Sequence, residues 1–553
     1  MLAVAYAERF WQSGQAMGDG AGRADAVKRT AIGSVKHGPW AALAVLFSTA
    51  VSVSATEWHV DATAPAGGDG SVSAPFQYIQ DGIDNAQPGD VVYVYGGTYN
   101  ESLTTVRDGS AIAPITVSAW ADEIVWVTDS SRVLSLQNQH TIVDGINFDG
   151  QFTDDDGMVR FYDGSNYSIL RRSEIANAGN HQLWIDADDV LIEDVYVHHA
   201  ISNWGPLTNA HNIHITDASS VTIRRTQAAF ATGDILHFEQ DAYPTYDIHV
   251  EDCDFGIALL DVNTNGVIAG TAITDNVIDI QNSTPDPNAF KEALTIRRCR
   301  LHGSFASRSI EREALDLKHR WRDLHIESNL LYDNELAIQM RAPSTDYTIV
   351  NNLIYANGQA FQFEDGVGGI EIANNTIYGH IAIQAHIGVL PGLLEWKNNI
   401  FVQAQAEEGE WLGSYDHNLF WLVPSGWPAL TQNIEADPRL ADPSGLNFRL
   451  VFDSPAVDTG IYVTSVTTDL EGVIRPQGQA YDLRAYERTP GDVDNDGDID
   501  LEDAGALVEA IEGPALSDPP ANSSPAGPSD LDGDGDIDLV DFALLAANFT
   551  GPR

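Results

Sequence analysis

A short phrase recurs through the middle of the chain: LHIESN at 324–329, YTIVNN at 347–352, IEIANN at 370–375 and LEWKNN at 394–399. The apolar residues at its third position are spaced by 23, 23 and 24 residues. Repetition at this step, with one strand in each copy, is typical of a solenoid whose repeats bury their apolar faces against their neighbours. The sequence therefore predicts an all-β fold, a right-handed single-stranded parallel β-helix.

The last residue of each copy belongs to a column of like residues. With two looser copies upstream, IHVEDC at 248–253 and LTIRRC at 294–299, the column reads Cys253, Cys299, Asn329, Asn352, Asn375 and Asn399. Stacked coils place such residues above one another, where side-chain amides form hydrogen-bonded ladders. This indicates a structural role. Stacked thiols are poorly aimed at each other, which favours free cysteines over a disulfide.

The composition is strongly acidic. The 553 residues include 80 Asp and Glu against 29 Lys and Arg, so the formal net charge is −51. Such a charge favours solubility and argues against nucleic acid or an anionic membrane as the partner. Any local cluster of basic residues therefore stands out.

The N-terminus has the pattern of a secretory signal. Lys28, Arg29 and Lys36 precede the apolar run PWAALAVLFSTAVSVSA at 39–55, which ends in small residues. We expect residues 1–55 to be a signal peptide with an N-terminal extension, cleaved near Ala55, and the mature protein to be secreted. No other segment approaches the length of a membrane span.

Both ends of the predicted solenoid carry segments that would close it. Residues 58–94 read as a strand, a Gly-rich turn, an amphipathic helix near 79–86 and a second strand. Such a helix would cover the open first coil. This segment resembles the N-terminal part of secreted β-helix proteins of the pectate lyase type, and residues 437–487 resemble the closing segment of secreted bacterial β-helix proteins. We therefore expect a β-helix over 56–440 and its closing segment over 441–489.

The last part of the chain contains two acidic loops, DVDNDGDIDLED at 492–503 and DLDGDGDIDLVD at 530–541. Their spacing wraps oxygen ligands around Ca²⁺, with Gly497 or Gly535 at the sharp turn. The predicted ligands are Asp492, Asp494, Asp496, Asp498, Asp500 and Asp503 in the first loop, and Asp530, Asp532, Asp534, Asp536, Asp538 and Asp541 in the second.

Each loop leads into a single apolar helix, so residues 490–553 resemble a dockerin. The resemblance implies a small α-helical domain that folds on two calcium ions and presents a helical face to a cohesin-like module. A solvated acidic tail is the alternative.

The strands that precede the recurring phrase carry two columns of polar residues. Alternation along a strand directs these columns away from the packed interior, and successive coils lie about 4.8 Å apart. The first column reads His237, Asp279, Asp316, Gln339, Gln362 and Gln384, and the second reads Glu239, Gln281, Lys318, Arg341, Glu364 and His386. Such a run of hydrogen-bonding groups predicts a water-facing groove that binds an anionic polysaccharide.

Lys318 and Arg341 lie one coil apart in the second column, and Glu311 and Glu313 lie just upstream. This arrangement resembles polysaccharide lyases of the alginate lyase and chondroitinase B type, which carry an acidic pair, then a Lys, then an Arg one coil later. The resemblance implies that Glu311 and Glu313 bind a Ca²⁺ ion against the uronate carboxylate, that Lys318 is the base, and that Arg341 assists.

The chemistry of β-elimination explains why these residue types are needed. Removing a proton next to a carboxylate builds negative charge that a cation must stabilise, and a Lys base requires a neutral amine. The sequence thus favours a secreted lyase that cleaves uronate-containing polysaccharide by β-elimination. The alternatives are a non-catalytic glycan-binding or scaffold protein, a glycoside hydrolase that uses clustered carboxylates, and ordinary solvated ion pairs at Lys318 and Arg341.

Overall fold

The computed structural model describes residues 55–129, 132–153, 157–201, 210–239, 246–256, 275–281, 291–304, 312–318, 321–341, 344–364, 367–379, 382–385, 394–406, 413–423, 432–510, 529, 531, 537 and 539–550. The expected signal peptide lies outside these residues, apart from its last position. Among the helices described, none combines the length and apolarity that crossing a membrane requires.

Three long parallel sheets form the body of the protein, and each coil contributes one strand to each sheet in turn. This confirms the predicted parallel β-helix.

In the described residues, the first sheet has 14 strands: Glu57–Val60, Val91–Val94, Ile115–Ala119, Thr141–Asp144, Ile169–Arg171, Leu191–Glu193, Thr222–Arg224, Tyr246–Glu251, Lys291–Arg297, Trp321–Glu327, Ser344–Val350, Val367–Ala373, Leu394–Lys397 and Ser414–Asp416. The second sheet has 12 in the same part of the chain: Leu103–Thr104, Leu134–Leu136, Val159–Phe161, Leu183–Ile185, Ile213–Thr216, Leu236–Glu239, Ile278–Ile280, Glu313–Leu317, Leu336–Met340, Gln359–Phe363, Ala382–Ala385 and Gln405–Ala406.

The third sheet has 14 strands within the described ranges: Gly97–Asn100, Val125–Thr128, Ile146–Asp149, Glu174–Ala178, Tyr196–Ala200, Gln227–Ala231, Asp254–Gly256, Arg300–His302, Leu330–Tyr332, Leu353–Tyr355, Thr376–Tyr378, Ile400–Val402, Leu419–Trp421 and Ile434–Glu435. An antiparallel pair, Leu440–Asp442 and Asn447–Leu450, follows. Short 3-10 turns span Trp120–Asp122 and Pro443–Gly445.

A single apolar core runs along the inside of the coils. The central residues of the recurring phrase, Ile326, Ile349, Ile372 and Trp396, have no exposed surface and pair in register along the first sheet. At the N-terminal end, helix α1 (Ile79–Asn85) buries Ile79 and Ile83 against this core. Because α1 packs beside the first strands, it covers apolar surface that a first coil would otherwise expose.

The column of asparagines is a continuous ladder inside the solenoid. The Oδ1 atom of each asparagine accepts the backbone N–H of the preceding coil's column residue at 2.8–2.9 Å, from Cys299 through Asn329, Asn352, Asn375, Asn399 and Asn418 to Asn433. Cys253 and Cys299 are buried free thiols, as expected. The ladder satisfies polar groups that have no access to water, so it stabilises the turns of the coils between Cys299 and Asn433.

The first asparagine of each NN pair has a different role. Asn351, Asn374 and Asn398 adopt the left-handed backbone conformation, which asparagine tolerates better than most residues. Their side chains hydrogen-bond the closing segment, with Nδ2 donating to the carbonyls of Thr468, Asp482 and Ile461 at 2.7, 3.1 and 2.7 Å. The closing segment therefore crosses three coils instead of only covering the last one.

A buried ion pair holds the closing segment together. Arg475 and Glu487 have 0% and 1% side-chain exposure, and Arg475 Nη1 donates to Glu487 Oε2 at 2.7 Å. Arg475 also donates to the carbonyl of Arg484 at 2.7 Å. Removing one partner would leave the other charge buried and uncompensated.

The C-terminal region contains helices α2 (Leu501–Ala510) and α3 (Leu539–Ala547). A small core of Ile499, Leu507 and Leu545 lies between them. Near the closing segment, Asn447 Nδ2 donates to the carbonyl of Asn495 at 2.8 Å.

Candidate functional site

The outward side of the second sheet carries the first polar column in register. Parallel pairing aligns His237 with Asp279, Asp279 with Asp316, Asp316 with Gln339, and Gln339 with Gln362. The coil-by-coil order read from the sequence is therefore the order in space, at the spacing of neighbouring strands.

The second column continues the same ladder just beyond the strand ends. The backbone N–H groups of Gln281, Lys318, Arg341 and Glu364 donate to carbonyls of the preceding coil at 2.9, 3.1, 3.0 and 3.0 Å. Upstream of them, Glu239 pairs in register with Thr216. Lys318 and Arg341 consequently lie on successive coils of the same face.

One carboxylate joins these two cations. Asp316 Oδ2 lies 3.3 Å from Lys318 Nζ and 2.9 Å from Arg341 Nη2. Lys318 Nζ also donates to Asp279 Oδ2 at 2.8 Å. Glu364 Oε1 approaches Arg341 Nε at 3.9 Å. The four central groups form a compact network in which two acids balance two bases.

The first column is far less open than the sequence indicated. Asp316 has no exposed surface, and His237, Asp279 and Gln339 are only 4–6% exposed. These four side chains were expected to face water but are buried, and the Lys318 and Arg341 side chains lie over the Asp316 carboxylate. Asp316 instead holds the two basic groups in position.

Burial also changes the protonation of Asp316. Desolvation raises the pKa of its carboxyl from 3.8 to about 8, against the opposing effect of Lys318, while Asp279 raises it further and Arg341 lowers it. The group can therefore hold a proton near neutral pH.

The second column has the accessible side chains. Glu239, Lys318, Arg341 and Glu364 retain 31%, 14%, 23% and 34% side-chain exposure, and Gln281 is exposed. Gln362, in the first column, is partly exposed. These residues form the surface that a polymer chain could contact, which we call the groove.

Of the acidic pair expected to bind metal beside Lys318, only Glu313 is described. Glu311 and His386 lie outside the described residues. Glu313 is 8% exposed, and its carboxylate accepts the N–H of Arg312 at 2.7 Å. It lies on the same side of its strand as the inward-facing Leu315 and Leu317. Within the described residues, Glu313 belongs to no cluster of three or more potential ligands.

A cluster of histidines upstream on the same sheet was missed. His181, His211 and His237 stack with ring centroids 4.8 and 4.2 Å apart, and His214 meets all three rings at steep angles. His214 pairs in register with His237, so it extends the first column by one coil. Extending the sequence alignment one coil upstream of the recurring phrase would have found it.

The column continues further upstream into a cleft of about 660 Å³. The Arg160 guanidinium lies 4.2 Å from the Trp184 ring centroid and 4.7 Å from that of Tyr162. Arg160 is also paired with Asp186 at 2.5 Å. Aromatic faces with a few polar groups are typical of ligand sites. The alignment of the polar column began two coils downstream of Trp184, at His237, so it did not include this region.

The first calcium loop brings its predicted ligands together. The carboxylates of Asp492, Asp494 and Asp503 lie within coordination reach of one another, as do those of Asp496, Asp498 and Asp503. Gly497 at the sharp turn has a φ of 102°, which favours glycine. Burial, followed by the nearby Asp503 charge, raises the pKa of Asp492 to about 6. Oxygen donors at this density fit Ca²⁺.

The first loop's remaining predicted ligand, Asp500, donates its backbone N–H to Asp503 Oδ2 at 2.8 Å. Of the second loop's predicted ligands, only Asp541 is described. Its Oδ1 accepts the N–H of Leu531 at 2.5 Å, just as Asp503 Oδ1 accepts the N–H of Val493 at 2.6 Å. The ligands outside the described residues are Asp530, Asp532, Asp534, Asp536 and Asp538.

Helices α2 and α3 both expose apolar side chains. Leu501 and Leu539 are each 77% exposed, at the start of α2 and of α3 respectively, and Val508, Val540 and Phe542 are also exposed. Exposed apolar residues of this number on a small acidic domain are typical of a protein-binding surface.

Comparison with known proteins identifies the C-terminal region. Residues 490–550 match the dockerin type I domain. Dockerin type I domains bind calcium, so calcium binding by this region is supported by both its family and its carboxylate geometry. No curated protein sequence matches the chain.

Solved structures with parallel β-helices are similar to the rest. The crystal structure of pectate lyase Pel9A is 14% identical, covers 79% of this chain and 98% of its own, and gives a TM-score of 0.48. The A-module of mannuronan C-5 epimerase AlgE6 from Azotobacter vinelandii is 13% identical, with coverage of 65% and 94% and a TM-score of 0.47. A mannuronic acid-specific family 6 polysaccharide lyase from human gut microbiota is 13% identical, with coverage of 65% and 89% and a TM-score of 0.43.

Proposed function

We propose that this protein is a secreted lyase that cleaves uronate-containing polysaccharide by β-elimination in the groove of the second sheet. The observation that carries the proposal is the shared contact of Lys318 and Arg341 with the buried carboxylate of Asp316, at 3.3 and 2.9 Å. Two basic groups fixed on successive coils of one face suit a sugar that carries a carboxylate next to the carbon to be deprotonated.

The proposed reaction uses each group once. Arg341 pairs with the uronate carboxylate and stabilises the negative charge that develops on it. The neutral amine of Lys318 takes the proton from C5, the C4–O bond breaks, and a C4=C5 double bond forms. The departing sugar oxygen takes a proton from water. Fixed geometry and charge stabilisation supply the rate enhancement.

Asp316 offers a way to prepare the base. A lysine amine accepts a proton only after losing its own, and Asp316 Oδ2 lies 3.3 Å from Lys318 Nζ. Because burial raises the pKa of Asp316 to about 8, its carboxyl can hold that proton at neutral pH. Asp316 is thus a positioning residue with a proton-holding role, and it does not contact the sugar.

The calcium site suggested by resemblance remains part of the proposal only through Glu311 and Glu313. Glu313 faces away from the Lys318 side of its strand, which gives this ion little geometric support. Arg341 supplies the required positive charge without it.

A non-catalytic glycan-binding protein is the second candidate. Lys318 Nζ contacts two carboxylates, at 2.8 and 3.3 Å, which is also how a purely structural cation would be held. A glycoside hydrolase is less well supported, because the raised-pKa acid, Asp316, has no exposed surface from which to protonate a glycosidic oxygen.

The C-terminal domain is proposed to attach the enzyme to a cohesin-like module through the exposed residues of α2 and α3. Binding of the full chain to immobilised cohesins in calcium, and its loss in EGTA, tests this. Retention of binding in EGTA would contradict a calcium-dependent dockerin interface.

A substrate screen tests the catalytic proposal. The protein is incubated with alginate, pectin and glycosaminoglycans, and three readouts are followed: ultraviolet absorbance of unsaturated uronate ends, new reducing ends, and co-sedimentation with insoluble polymer. Absorbance and reducing ends rising together supports the lyase. Reducing ends without absorbance indicate hydrolysis, and binding without either indicates the non-catalytic protein.

A further inference from the structure

The histidine cluster of the second sheet brings three potential metal ligands together on two successive coils. His214 lies on the strand Ile213–Thr216, and His237 and Glu239 lie on the next, Leu236–Glu239. One ligand atom from each of the three side chains lies within 4.8 Å of the others. His214 Nε2 and Glu239 Oε2 are 3.4 Å apart. Two ligands of a tetrahedral zinc ion at 2.0–2.2 Å are separated by about 3.4 Å.

His214 supplies a second, independent sign of a ligand. Its side chain is only 4% exposed, yet within the described residues neither ring nitrogen makes a hydrogen bond. Trp184 stacks on the ring at 4.6 Å and fixes its orientation. A buried imidazole without hydrogen bonds carries a desolvation cost that a bound cation would remove.

His237 is oriented in the way that metal-binding histidines usually are. Its Nδ1 lies 2.8 Å from Oδ2 of the fully buried Asp234, whose Oδ1 accepts the N–H of Asn276 at 2.9 Å. When Nδ1–H donates to this carboxylate, Nε2 carries the lone pair. A carboxylate behind a histidine fixes the ring and strengthens it as a ligand.

The other two histidines form the wall of the site. The Nδ1 atoms of His181 and His211 accept the backbone N–H groups of His211 and Asp234 at 3.1 and 2.9 Å, which places any ring proton on Nε2. Neutral stacked rings add no repulsion to an incoming cation.

We propose that His214, His237 and Glu239 bind a divalent transition metal of the zinc class, with Asp234 as the residue that orients His237. Two imidazoles and one carboxylate suit zinc and its neighbours, whereas Ca²⁺ prefers oxygen ligands alone. His237 and Glu239 are then metal ligands and not contacts for the sugar. The site is separate from the calcium loops, and it joins two neighbouring coils.

The experiment uses the full-length secreted protein, stripped with a chelator and returned to excess Ca²⁺ so that the acidic loops are filled. Titration with Zn²⁺ by calorimetry is expected to show one tight site per chain. Titration with Co²⁺ is expected to show the visible absorption of a low-symmetry nitrogen- and oxygen-ligated ion. Zn²⁺ should also raise the melting temperature, because it binds the folded coils.

Three variants and one control distinguish this site from general binding to an acidic surface. H214A and E239Q should lose the tight site, and D234N should weaken it by about 10- to 100-fold. The control H325A removes an exposed histidine that lies beside Asp323 on the first sheet, and it should bind as wild type.

E239Q changes a side chain at the rim and so reports on binding even if H214A fails to fold. Absence of a tight Zn²⁺ or Co²⁺ site in the wild type, or equal binding by E239Q and H325A, would overturn the proposal. Neither result depends on whether any polysaccharide is cleaved.

Discussion

The asparagine ladder and the outward column of the second sheet both run along the solenoid, but they follow opposite rules of composition. The ladder repeats one residue type from Asn329 to Asn433, and each amide satisfies the next coil. The column changes residue type along its length, from Trp184 and His214 through Asp316 to Gln362. Repetition provides stability, because identical groups satisfy each other. A change of residue type from coil to coil places acidic and basic groups side by side, as a catalytic site requires.

The largest expected effect is on catalytic activity, and it should distinguish two lysines that each contact two carboxylates. Lys318 contacts Asp279 and Asp316 in the column, and Lys397 contacts Glu371 and Glu395 on the first sheet. On a uronate polymer that the wild type cleaves, K318A should lose about 100- to 10,000-fold in kcat, because it removes the proposed general base. K397A should retain activity. Equal activity of K318A and wild type would remove Lys318 from the mechanism.

The next effect is on stability and falls on the ladder. N375A removes the acceptor of Asn352 N–H and the donor to the carbonyl of Ile349. Each buried group left without a partner costs about 1–3 kcal/mol. Denaturant unfolding should show this loss, whereas Q362A in the column should change the free energy of unfolding by about 0.5 kcal/mol or less. A larger loss in Q362A would contradict the division of roles.

The smallest effect, counted over one pH unit, concerns the protonation of Asp316. The folded-state pKa of Asp316 is raised from 3.8 to about 8, so its protonated form stabilises the fold at low pH and this contribution is lost as pH rises to about 8. Relative to D316N, the wild type should therefore lose stability across this range, by at most about 1.4 kcal/mol per pH unit for one proton.

Unfolding in calcium at a series of pH values measures the difference between these two proteins, and the calcium loops affect both alike. A constant difference from about pH 4 to about pH 8 would show that Asp316 does not titrate as described.

The sequence predicted the features that depend on the repeat period. The coil step, the in-register columns and the free Cys253 and Cys299 follow from residues that repeat at a constant spacing, and stacking fixes their neighbours. The role of the first asparagine of each NN pair could not be predicted from the repeat. Its contact with the closing segment joins residues more than 60 positions apart, which no local pattern encodes.

What the sequence could not supply is the direction that long side chains take. Lys318 and Arg341 lie over Asp316, so a column expected to face water is buried. His214 was overlooked because the alignment of the column began one coil downstream of it, at His237.

The closing segment has a mechanical consequence. A solenoid whose coils touch only their neighbours can unpeel from its free end, one coil at a time. Here the closing segment leads to the C-terminal domain, and it accepts hydrogen bonds from Asn351, Asn374 and Asn398 on three successive coils. A pulling force applied through that domain is therefore distributed over three coils. Detaching the last coil requires the hydrogen bonds of all three asparagines to the closing segment to break.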